Sequence, residues 1–261
     1  EHMLSVERQN QILLLLKANK SVMVSELAKT FFVSEATIRR DLARINKQKL
    51  IKRTYGGAIL LEAFNHPLPI SIREKEYSLE KDIIGKLAAS FICDFDSVII
   101  DSSSTALSVV KYLSGLHDLT IITNSIKAMS LIEQSVSHKL LCTGGESYDN
   151  TLSLVGASAE DFIKHYNANK LFFSCRAISQ KYISDLASEE ASLRNVMISQ
   201  SEKVFLMADH SKFDTTALAN ICDFADIDYF ITDIRPPDNW MEYFEKTNTI
   251  VVYPNSDSIT V

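Results

Sequence analysis

The chain has 261 residues, 46% of them hydrophobic and 23% charged, which is enough for one large domain or for a small domain beside a medium-sized one. No apolar run approaches the roughly 18–20 residues that a membrane-spanning helix needs, so we expect a soluble, cytoplasmic protein without a membrane span. The cysteines form no CxxC pair, and no His pair has the spacing of zinc ligands. We therefore expect no metal site and no cofactor. We also expect free, buried thiols at Cys93, Cys142, Cys175 and Cys222.

The charge is divided unevenly along the chain. Residues 1–60 contain 11 Lys and Arg against 5 Asp and Glu, a net charge of +6. Residues 61–261 contain 16 Lys and Arg against 28 Asp and Glu, a net charge of −12. A basic first part that precedes an acidic body predicts that only the first part contacts a polyanion, while the acidic body repels DNA.

Three short helices are predicted at the start of the chain. Ser5 is the expected cap of the first helix, whose apolar residues have helical spacing. The second helix follows Val24, with Ser25 as its expected N-cap. Ser34 is expected to cap a third helix over residues 35–49.

A hairpin is predicted after the third helix. Residues 50–60, LIKRTYGGAIL, contain two apolar stretches around a turn with paired glycines. A hairpin in this position is the wing of a winged helix-turn-helix, which we predict over residues 3–62. Residues 63–69 contain two prolines and an Asn-His pair, so we predict a linker over residues 63–72 and a second domain over residues 73–261.

The third helix is the predicted DNA-recognition helix, because the second helix of a helix-turn-helix pair enters the major groove. Arginine pairs with guanine or binds phosphate, and threonine contacts a phosphate, a base edge or a thymine methyl group. The basic wing is expected to contact the flanking backbone or the minor groove. For the helix alone, the alternative is a solvated basic face. The predicted DNA-binding residues are Ser34, Glu35, Thr37, Arg39, Arg40 and Arg44 on the helix and Lys52, Arg53 and Tyr55 on the wing.

The sequence VSEATIRRDL at residues 33–42, followed by YGGA at residues 55–58, resembles the DNA-binding signature of the DeoR family of bacterial regulators. The resemblance implies a winged helix-turn-helix over about residues 4–60 that binds double-stranded operator DNA. In that family an aspartate follows the arginine pair. We expect this residue, Asp41, to orient arginine side chains rather than to contact DNA; the alternative is a plain surface charge.

From Ser97 onward, short apolar strands alternate with helical segments. This alternation predicts a mainly parallel sheet covered on both faces, and the predicted fold class is therefore α/β. The predicted strands are 98–100, 119–122, 140–141, 171–173, 204–207, 229–231 and 250–252, and the predicted helices are 73–93, 104–113, 125–133, 157–166, 188–199 and 236–245.

Polar clusters directly follow four of these strands, at residues 101–105, 123–125, 143–146 and 209–213. Ligands bind at the carboxyl ends of strands in open α/β sheets, and hydroxyl groups with helix N-terminal N–H groups suit a phosphate. Gly144 and Gly145 would let the backbone approach a ligand, and Lys212 supplies a positive charge. Taken singly, the alternatives are helix capping by Ser104 or Ser125, a turn at the glycines and a solvated lysine. Their convergence favours a phosphate-binding pocket.

Residues 73–233 are similar to the sensor domain of DeoR-type regulators, which is related in fold to ribose-phosphate isomerases and glucosamine-phosphate deaminases. The resemblance implies a phosphorylated sugar or sugar-acid effector that releases the protein from its operator. The chain departs from the family at Ser103 or Ser104 and at residues 173–178, where glycines are usual. Arg176 is then either a second phosphate or carboxylate ligand or part of an internal ion pair. Glu189 and Glu190 either position ligand hydroxyl groups or face solvent.

The resemblance thus implies a repressor of a sugar-catabolism operon. We expect a homo-oligomer, because operators with repeated half-sites bind more than one DNA-binding head. The alternative is a sugar-phosphate isomerase or deaminase with Asp101, Glu146 or Glu190 as a base. No spacing defines a paired acid and base, and the chain has no GxGxxG, P-loop or GxSxG motif, so we expect no enzymatic activity. The predicted effector-binding residues are Asp101, Ser102, Ser103, Ser104, Thr105, Thr123, Asn124, Gly144, Gly145, Arg176, Glu190 and Lys212.

Overall fold

A computed structural model of the chain describes residues 3–47, 50–60, 68–133, 138–148 and 151–255. The chain folds into two compact units, Glu1–Arg73 and Glu74–Val261. None of the helices in the described ranges has the length and apolar character that crossing a bilayer requires.

The first unit combines helices with a small antiparallel sheet. Its elements are α1 (Ser5–Asn19), β1 (Ser21–Met23), α2 (Val24–Thr30), α3 (Glu35–Lys47), β2 (Ile51–Arg53), β3 (Gly57–Leu60) and α4 (Ile70–Arg73). The strands pair in the order β1-β3-β2, so the predicted hairpin forms and gains a third strand. The sequence pattern did not predict β1, because a strand of three residues is too short to show a period.

A shared apolar core joins the helices of this unit. Ile12 and Leu16 of α1 pack in one cluster with Ile38, Leu42 and Ile45 of α3, and all are at most 1% exposed. The spacing of i, i+4 and i+7 places the three α3 residues on one face of the helix. Burial of that face leaves the opposite, basic face of α3 toward solvent.

One of the three predicted serine caps forms. Ser34 Oγ accepts a hydrogen bond from the backbone N–H of Thr37 at 3.2 Å, which caps α3. The predictions for Ser5 and Ser25 are wrong, because both serines lie inside the first turn and neither helix has a side-chain cap. The Ser5 hydroxyl donates instead to Asp41 Oδ1 at 3.1 Å.

The predicted linker lies partly outside the described residues. Its described end is packed, since Ile70 and Ile72 are 4% and 1% exposed. Ile72 belongs to the apolar core of the first unit, and α4 contacts α1. The first unit therefore extends to Arg73, because this apolar segment buries its side chains rather than crossing solvent.

A seven-stranded sheet organises the described part of the second unit. The elements are α5 (Ser78–Ala89), β4 (Ser97–Ile100), a 3₁₀ helix (Ala106–Tyr112), β5 (Thr120–Thr123), α6 (Ile126–Ile132), β6 (Lys139–Cys142), β7 (Glu146–Tyr148), β8 (Ser153–Val155), α7 (Ala157–Ile163), β9 (Ala168–Phe173), β10 (Ala177–Ile178), β11 (Ile183–Asp185), α8 (Ser188–Ser199), β12 (Ser201–Met207), a 3₁₀ helix (His210–Lys212), β13 (Ala219–Cys222), a 3₁₀ helix (Phe224–Asp226), β14 (Tyr229–Ile231), α9 (Asp238–Thr247) and β15 (Ile250–Val252). The sheet order is β15-β14-β12-β9-β4-β5-β6, and every pairing in it is parallel.

Apolar layers cover both faces of this sheet. Ile99, Leu171 and Leu206 belong to one buried cluster, whereas Ile100 and Phe172 belong to the other. Neighbouring residues of one strand thus point to opposite faces, and both faces are dry. The predicted α/β class with a mainly parallel sheet is confirmed.

Short antiparallel elements flank the parallel sheet, and the sequence pattern did not predict them. β7 pairs with β8, and β10, β11 and β13 form a second small sheet. The segment predicted as a helix over residues 104–113 is a 3₁₀ helix. The short antiparallel strands are two to four residues long. A period-two pattern of that length cannot be distinguished from a loop.

The cysteines are free, as predicted, but only two of them are buried. Cys175 and Cys222 lie inside the second unit, whereas Cys93 and Cys142 are exposed. The expectation of burial is wrong for the last two, because Cys93 lies in a loop and Cys142 ends the edge strand β6.

Candidate functional site

The amino-terminal end of α3 presents polar and basic side chains. Ser34 Oγ lies 3.0 Å from Thr37 Oγ1, so two hydroxyl groups stand together at the first turn. Arg39 pairs with Glu35 at 2.7 Å, but both side chains are at least half exposed, and such a pair separates at little cost. Arg40 is also exposed. This end of the helix can therefore offer cationic and hydroxyl donors to a phosphate or a base edge.

Asp41 points inward from α3 and braces α1. Its Oδ2 accepts a hydrogen bond from Arg8 Nε at 2.7 Å, and its Oδ1 accepts from Ser5 Oγ and from Gln9 Nε2 at 3.1 and 3.0 Å. Asp41 is 2% exposed, so the surface-charge alternative is wrong. It orients an arginine, as expected, but that arginine is Arg8. Arg44 donates to Ser5 Oγ at 3.1 Å, at the solvent side of the same network.

The wing places its predicted residues in solvent. Lys52, Arg53 and Tyr55 are exposed, and the Thr54 N–H donates to the Gly57 carbonyl at 3.0 Å to close the turn. A Cβ on Gly57 would lie 1.9 Å from the Val22 carbonyl oxygen. Gly57 is therefore required by the close approach of β1, which the sequence pattern did not reveal.

The loops after β4, β5, β6, β9 and β12 lie at one edge of the second unit's sheet, because those strands are parallel and adjacent. The predicted effector-binding residues on these loops are Asp101, Ser102, Ser103, Ser104, Thr105, Asn124, Gly144, Gly145, Arg176 and Lys212. Lys212 ends the short 3₁₀ helix inside the loop after β12. Two further predicted residues lie on longer elements, Thr123 at the end of β5 and Glu190 in α8.

Asp101 lies beneath this edge and has both carboxylate oxygens engaged. Oδ1 accepts from the Ser103 N–H at 2.9 Å, and Oδ2 accepts from Arg194 Nε at 2.7 Å. Ser103 Oγ in turn accepts from the Ala106 N–H at 3.1 Å, where the 3₁₀ helix begins. Asp101 is 1% exposed. It therefore fixes the shape of the loop that carries Ser104, which is only half-buried.

A buried polar network surrounds Asn124 at the end of β5. Its Nδ2 donates to Ser153 Oγ and to the Leu154 carbonyl, both at 3.1 Å. Ser102 Oγ lies 2.8 Å from Ser153 Oγ. Asn124 is 3% exposed, and its Oδ1 has no hydrogen-bond partner among the described residues. A ligand that donates a hydrogen bond would satisfy this oxygen, because a buried acceptor without a partner is costly.

Asp209 provides a second acceptor of this kind at the end of β12. Its Oδ1 accepts from the N–H and the hydroxyl of Ser211. Its Oδ2 is buried and has no partner in the part of the chain that the structure describes. The next residue, His210, pairs with Asp233 at 2.7 Å, and this hydrogen bond raises the pKa of His210.

Lys212 lies close enough to Cys175 for its charge to act on the thiol. Burial is the main reason that the pKa of Cys175 is raised to about 12; the charges of Asp185 and Asp209 act in the same direction, and those of Lys212 and Arg194 oppose them. Cys175 follows β9, next to β12 in the sheet. A half-buried cation and a buried carboxylate thus share one region of the edge, a combination that suits a ligand with a phosphate and hydroxyl groups.

Gly144 and Gly145 both have left-handed backbone conformations, with φ of +66° and +105°. A Cβ on Gly145 would lie 2.5 Å from the Val155 carbonyl oxygen, whereas a Cβ on Gly144 would meet nothing within 4 Å. Gly145 is therefore needed for packing against β8 and α7. The open space at Gly144 agrees with the prediction that its backbone is accessible.

The alternatives left open for Arg176 and Glu190 have different outcomes. Arg176 is exposed and forms no ion pair within the described ranges, so it is not part of an internal pair there. Glu190 is 3% exposed, with Oε2 3.7 Å from Arg194. It faces the interior rather than solvent, whereas Glu189 is exposed.

Sequence reasoning missed several residues of this edge. Arg194 and Asp185 form an ion pair at 2.8 Å, but neither lies in a recognisable sequence motif. The only signal was that Arg194 follows Glu190 at helical spacing. Ser153 lies in a strand too short to predict. Asp209 stood inside a recognised polar cluster, and its position directly after a buried strand was the signal. The capping alternative holds for Ser125, which accepts from the Ala128 N–H at 3.1 Å.

Two family models match the chain. Residues 8–64 match the DeoR-like helix-turn-helix domain, and residues 76–234 match the DeoR C terminal sensor domain. Among solved structures, ribose 5-phosphate isomerase A from Methanocaldococcus jannaschii is similar with a TM-score of 0.40 and 14% identity, over 52% of this chain and 55% of that one.

Named relatives match over nearly the whole chain. The chain is 35% identical to the transcriptional regulator YulB of Bacillus subtilis, over 88% of this chain and 90% of that protein. It is 32% identical to the transcriptional repressor GlcR of the same organism, over 96% of this chain and 97% of that protein. It is 28% identical to the lactose phosphotransferase system repressor of Lactococcus lactis, over 94% and 97%. The chain therefore belongs to the DeoR family of transcriptional regulators.

Proposed function

We propose that this chain is a transcriptional repressor of a sugar-catabolism operon and that a phosphorylated sugar releases it from its operator. In this proposal the first unit, which extends to Arg73, is the DNA-binding domain, and the second unit, from Glu74 onward, binds the effector and holds the oligomer together. The similarity to the repressor GlcR and to the lactose phosphotransferase system repressor supports the repressor role.

The exposed basic face of the first unit supports the DNA-binding half of this proposal. Arg39, Arg40 and Arg44 on α3 and Lys52 and Arg53 on β2 are all exposed. In the major groove, the predicted contacts are Ser34, Glu35, Thr37 and the three arginines of α3. The wing residues Lys52, Arg53 and Tyr55 are predicted to contact the DNA beside this groove. The acidic second unit, by its charge, keeps DNA away from the sensor.

One observation carries the effector half, namely the pair of buried acceptors Asp209 Oδ2 and Asn124 Oδ1. Sugar hydroxyl groups donate hydrogen bonds to such oxygens, and Lys212 supplies a cation for the phosphate. The loop at residues 101–105 and the exposed Gly144 line the same edge of the sheet. A ligand with both hydroxyl groups and a phosphate fits this set better than either group alone.

The enzyme alternative is not supported. The relatives that match most of the chain are named as regulators and repressors, and Asp101 and Glu190 are held by Arg194. The chain acts as a binding protein that requires no cofactor.

The cellular setting follows from the same proposal. A repressor acts where the chromosome is, so we place this protein in the cytoplasm. Two or more copies bind repeated half-sites of the operator, because one recognition helix reads only a few base pairs.

The test combines ligand binding and DNA binding in the full chain. A thermal-shift screen compares sugar phosphates with their unphosphorylated sugars, and we expect only a phosphorylated compound to raise the melting temperature. Gel retardation then uses a duplex that the chain selects from a random-sequence pool, and the same compound is expected to release it. Selection of no duplex, or stabilisation by the unphosphorylated sugar alone, would contradict the proposal.

A further inference from the structure

The two most exposed large apolar side chains of the described residues both belong to the first unit. Tyr55 is fully exposed on the wing, and Phe32 is 93% exposed in the turn between α2 and α3. Phe32 lies two residues before Ser34, the cap of the recognition helix. In the chain, Phe32 thus comes shortly before the helix that carries the predicted DNA contacts, and Tyr55 comes after it.

The backbone of Phe32 is in an unfavourable conformation for a phenylalanine. Its φ is +52°, in the left-handed region that glycine occupies at the ends of helices. Hydrogen bonds hold the turn, from the Phe32 N–H to the Lys29 carbonyl at 3.3 Å and from the Val33 N–H to the Ala28 carbonyl at 3.1 Å. A glycine here would lower the backbone energy and remove an apolar ring from water.

The neighbouring residues follow the opposite pattern. Phe31 and Val33 are only partly exposed and pack against the apolar core of the first unit. The chain thus buries the side chains on both sides of Phe32 and leaves the Phe32 ring without contacts to that core. A bulky apolar residue that is both strained and exposed has no stabilising role in the isolated unit.

We propose that Phe32 contacts operator DNA, with its ring against a deoxyribose and a thymine methyl group beside the recognition helix. This proposal rests on the proposed DNA-binding function and adds a residue that sequence reasoning did not select. Deoxyribose carbons and thymine methyl groups are the apolar surfaces that a duplex offers in its grooves. The exposed basic residues of α3 and the wing supply the attraction to phosphate, and the ring supplies apolar contact and a preference for thymine.

The physical signature of such a contact is insensitivity to salt. A lysine or arginine that binds phosphate releases counterions, so its removal flattens the dependence of affinity on salt. A phenylalanine ring releases none. Removal of the ring should therefore weaken binding by the same factor at every salt concentration.

The experiment uses the full chain and a duplex that it selects from a random-sequence pool. We expect F32G to bind this duplex about tenfold more weakly, the equivalent of one good apolar base contact, with an unchanged salt slope. F32N, which also tolerates a positive φ, should lose affinity similarly, and F32L should retain most of it because it keeps an apolar side chain.

Phe95 provides a matched control in the second unit. Its φ is +67° and its side chain is 75% exposed, so F95G relieves the same backbone strain at a residue that belongs to the other unit. Both glycine variants should raise the melting temperature, and only F32G should lower affinity for the duplex. Unchanged affinity in F32G and F32N, or a changed salt slope, would overturn the role of Phe32. Selection of no duplex by the wild-type chain would instead contradict DNA binding as a whole.

Discussion

Arg194 and Asp101 form a buried ion pair beneath the carboxyl edge of the parallel sheet, with Arg194 Nε 2.7 Å from Asp101 Oδ2. Their side chains are 4% and 1% exposed. The same guanidinium donates to Asp185 at 2.8 Å and lies 3.7 Å from Glu190. One cation therefore joins the loop after β4 to β11 and balances the charge of several buried carboxylates.

Replacement of Arg194 by methionine is expected to destabilise the second unit by about 3–5 kcal/mol, because it leaves buried carboxylates without a cation. Urea denaturation measures the loss. As a control, Arg235→Met removes a surface pair with Asp238, whose side chains are 53% and 83% exposed, and should change stability by less than about 1 kcal/mol. Equal stability of both variants would argue against a supporting role for Arg194.

Arg40→Ala is expected to weaken DNA binding and to reduce the slope of log affinity against log salt by about 1, because a phosphate contact that releases counterions is lost. Binding to the selected duplex is measured by fluorescence anisotropy over a series of salt concentrations. Lys164→Ala, which removes an exposed lysine of the second unit, should leave both affinity and slope unchanged. A wild-type slope in the Arg40 variant would contradict the assignment of α3 as the groove helix.

Lys212→Ala is expected to leave operator binding intact and to blunt the effector response. The reason is that the half-buried ammonium group supplies the cation for the phosphate at the edge of the sheet. The measurement is the concentration of the active sugar phosphate that releases half of the bound duplex. Lys181→Ala, at an exposed lysine over the Tyr182 ring, serves as the control. Release at the wild-type concentration would remove Lys212 from the effector site.

Alanine substitutions at Gly144 and Gly145 distinguish the energetic cost of backbone strain from the cost of a steric clash. Gly144→Ala is expected to cost about 1 kcal/mol, because alanine is strained at positive φ while space is available. Gly145→Ala should cost clearly more, since its Cβ would lie 2.5 Å from the Val155 carbonyl oxygen. Urea denaturation compares the two variants. An equal loss would mean that β8 moves freely to make room.

The local parts of the fold could be predicted from the sequence. The cap at Ser34 and the apolar spacing of Ile38, Leu42 and Ile45 depend on residues within seven positions of one another, so α3 was predicted correctly at its start. The buried strands β4, β9 and β12 were predicted because continuous apolar runs are typical of a sheet covered on both faces. The caps at Ser5 and Ser25 were wrong because tertiary contacts set where those helices begin.

The candidate effector site could be predicted only in outline. Polar clusters after strands indicated that these residues share one edge of the sheet, as the parallel strands place them, but not which side chains are buried there. Asp101 was expected to face a ligand and instead supports its loop from beneath, because Arg194 approaches from α8. Asp209 is buried with one oxygen unpartnered in the described residues, a property that no local pattern reveals.

The sequence by itself determined the order of the longer strands and helices, the basic character of α3 and the family, since these follow from local spacing, charge and motif. Only the tertiary structure decided the partners of the buried charges. Asp41 meets Arg8 and Asp101 meets Arg194 across 33 and 93 residues of chain. The physical reason is that a buried charge is stable only beside its counter-charge, and the packing of distant elements alone brings the two together.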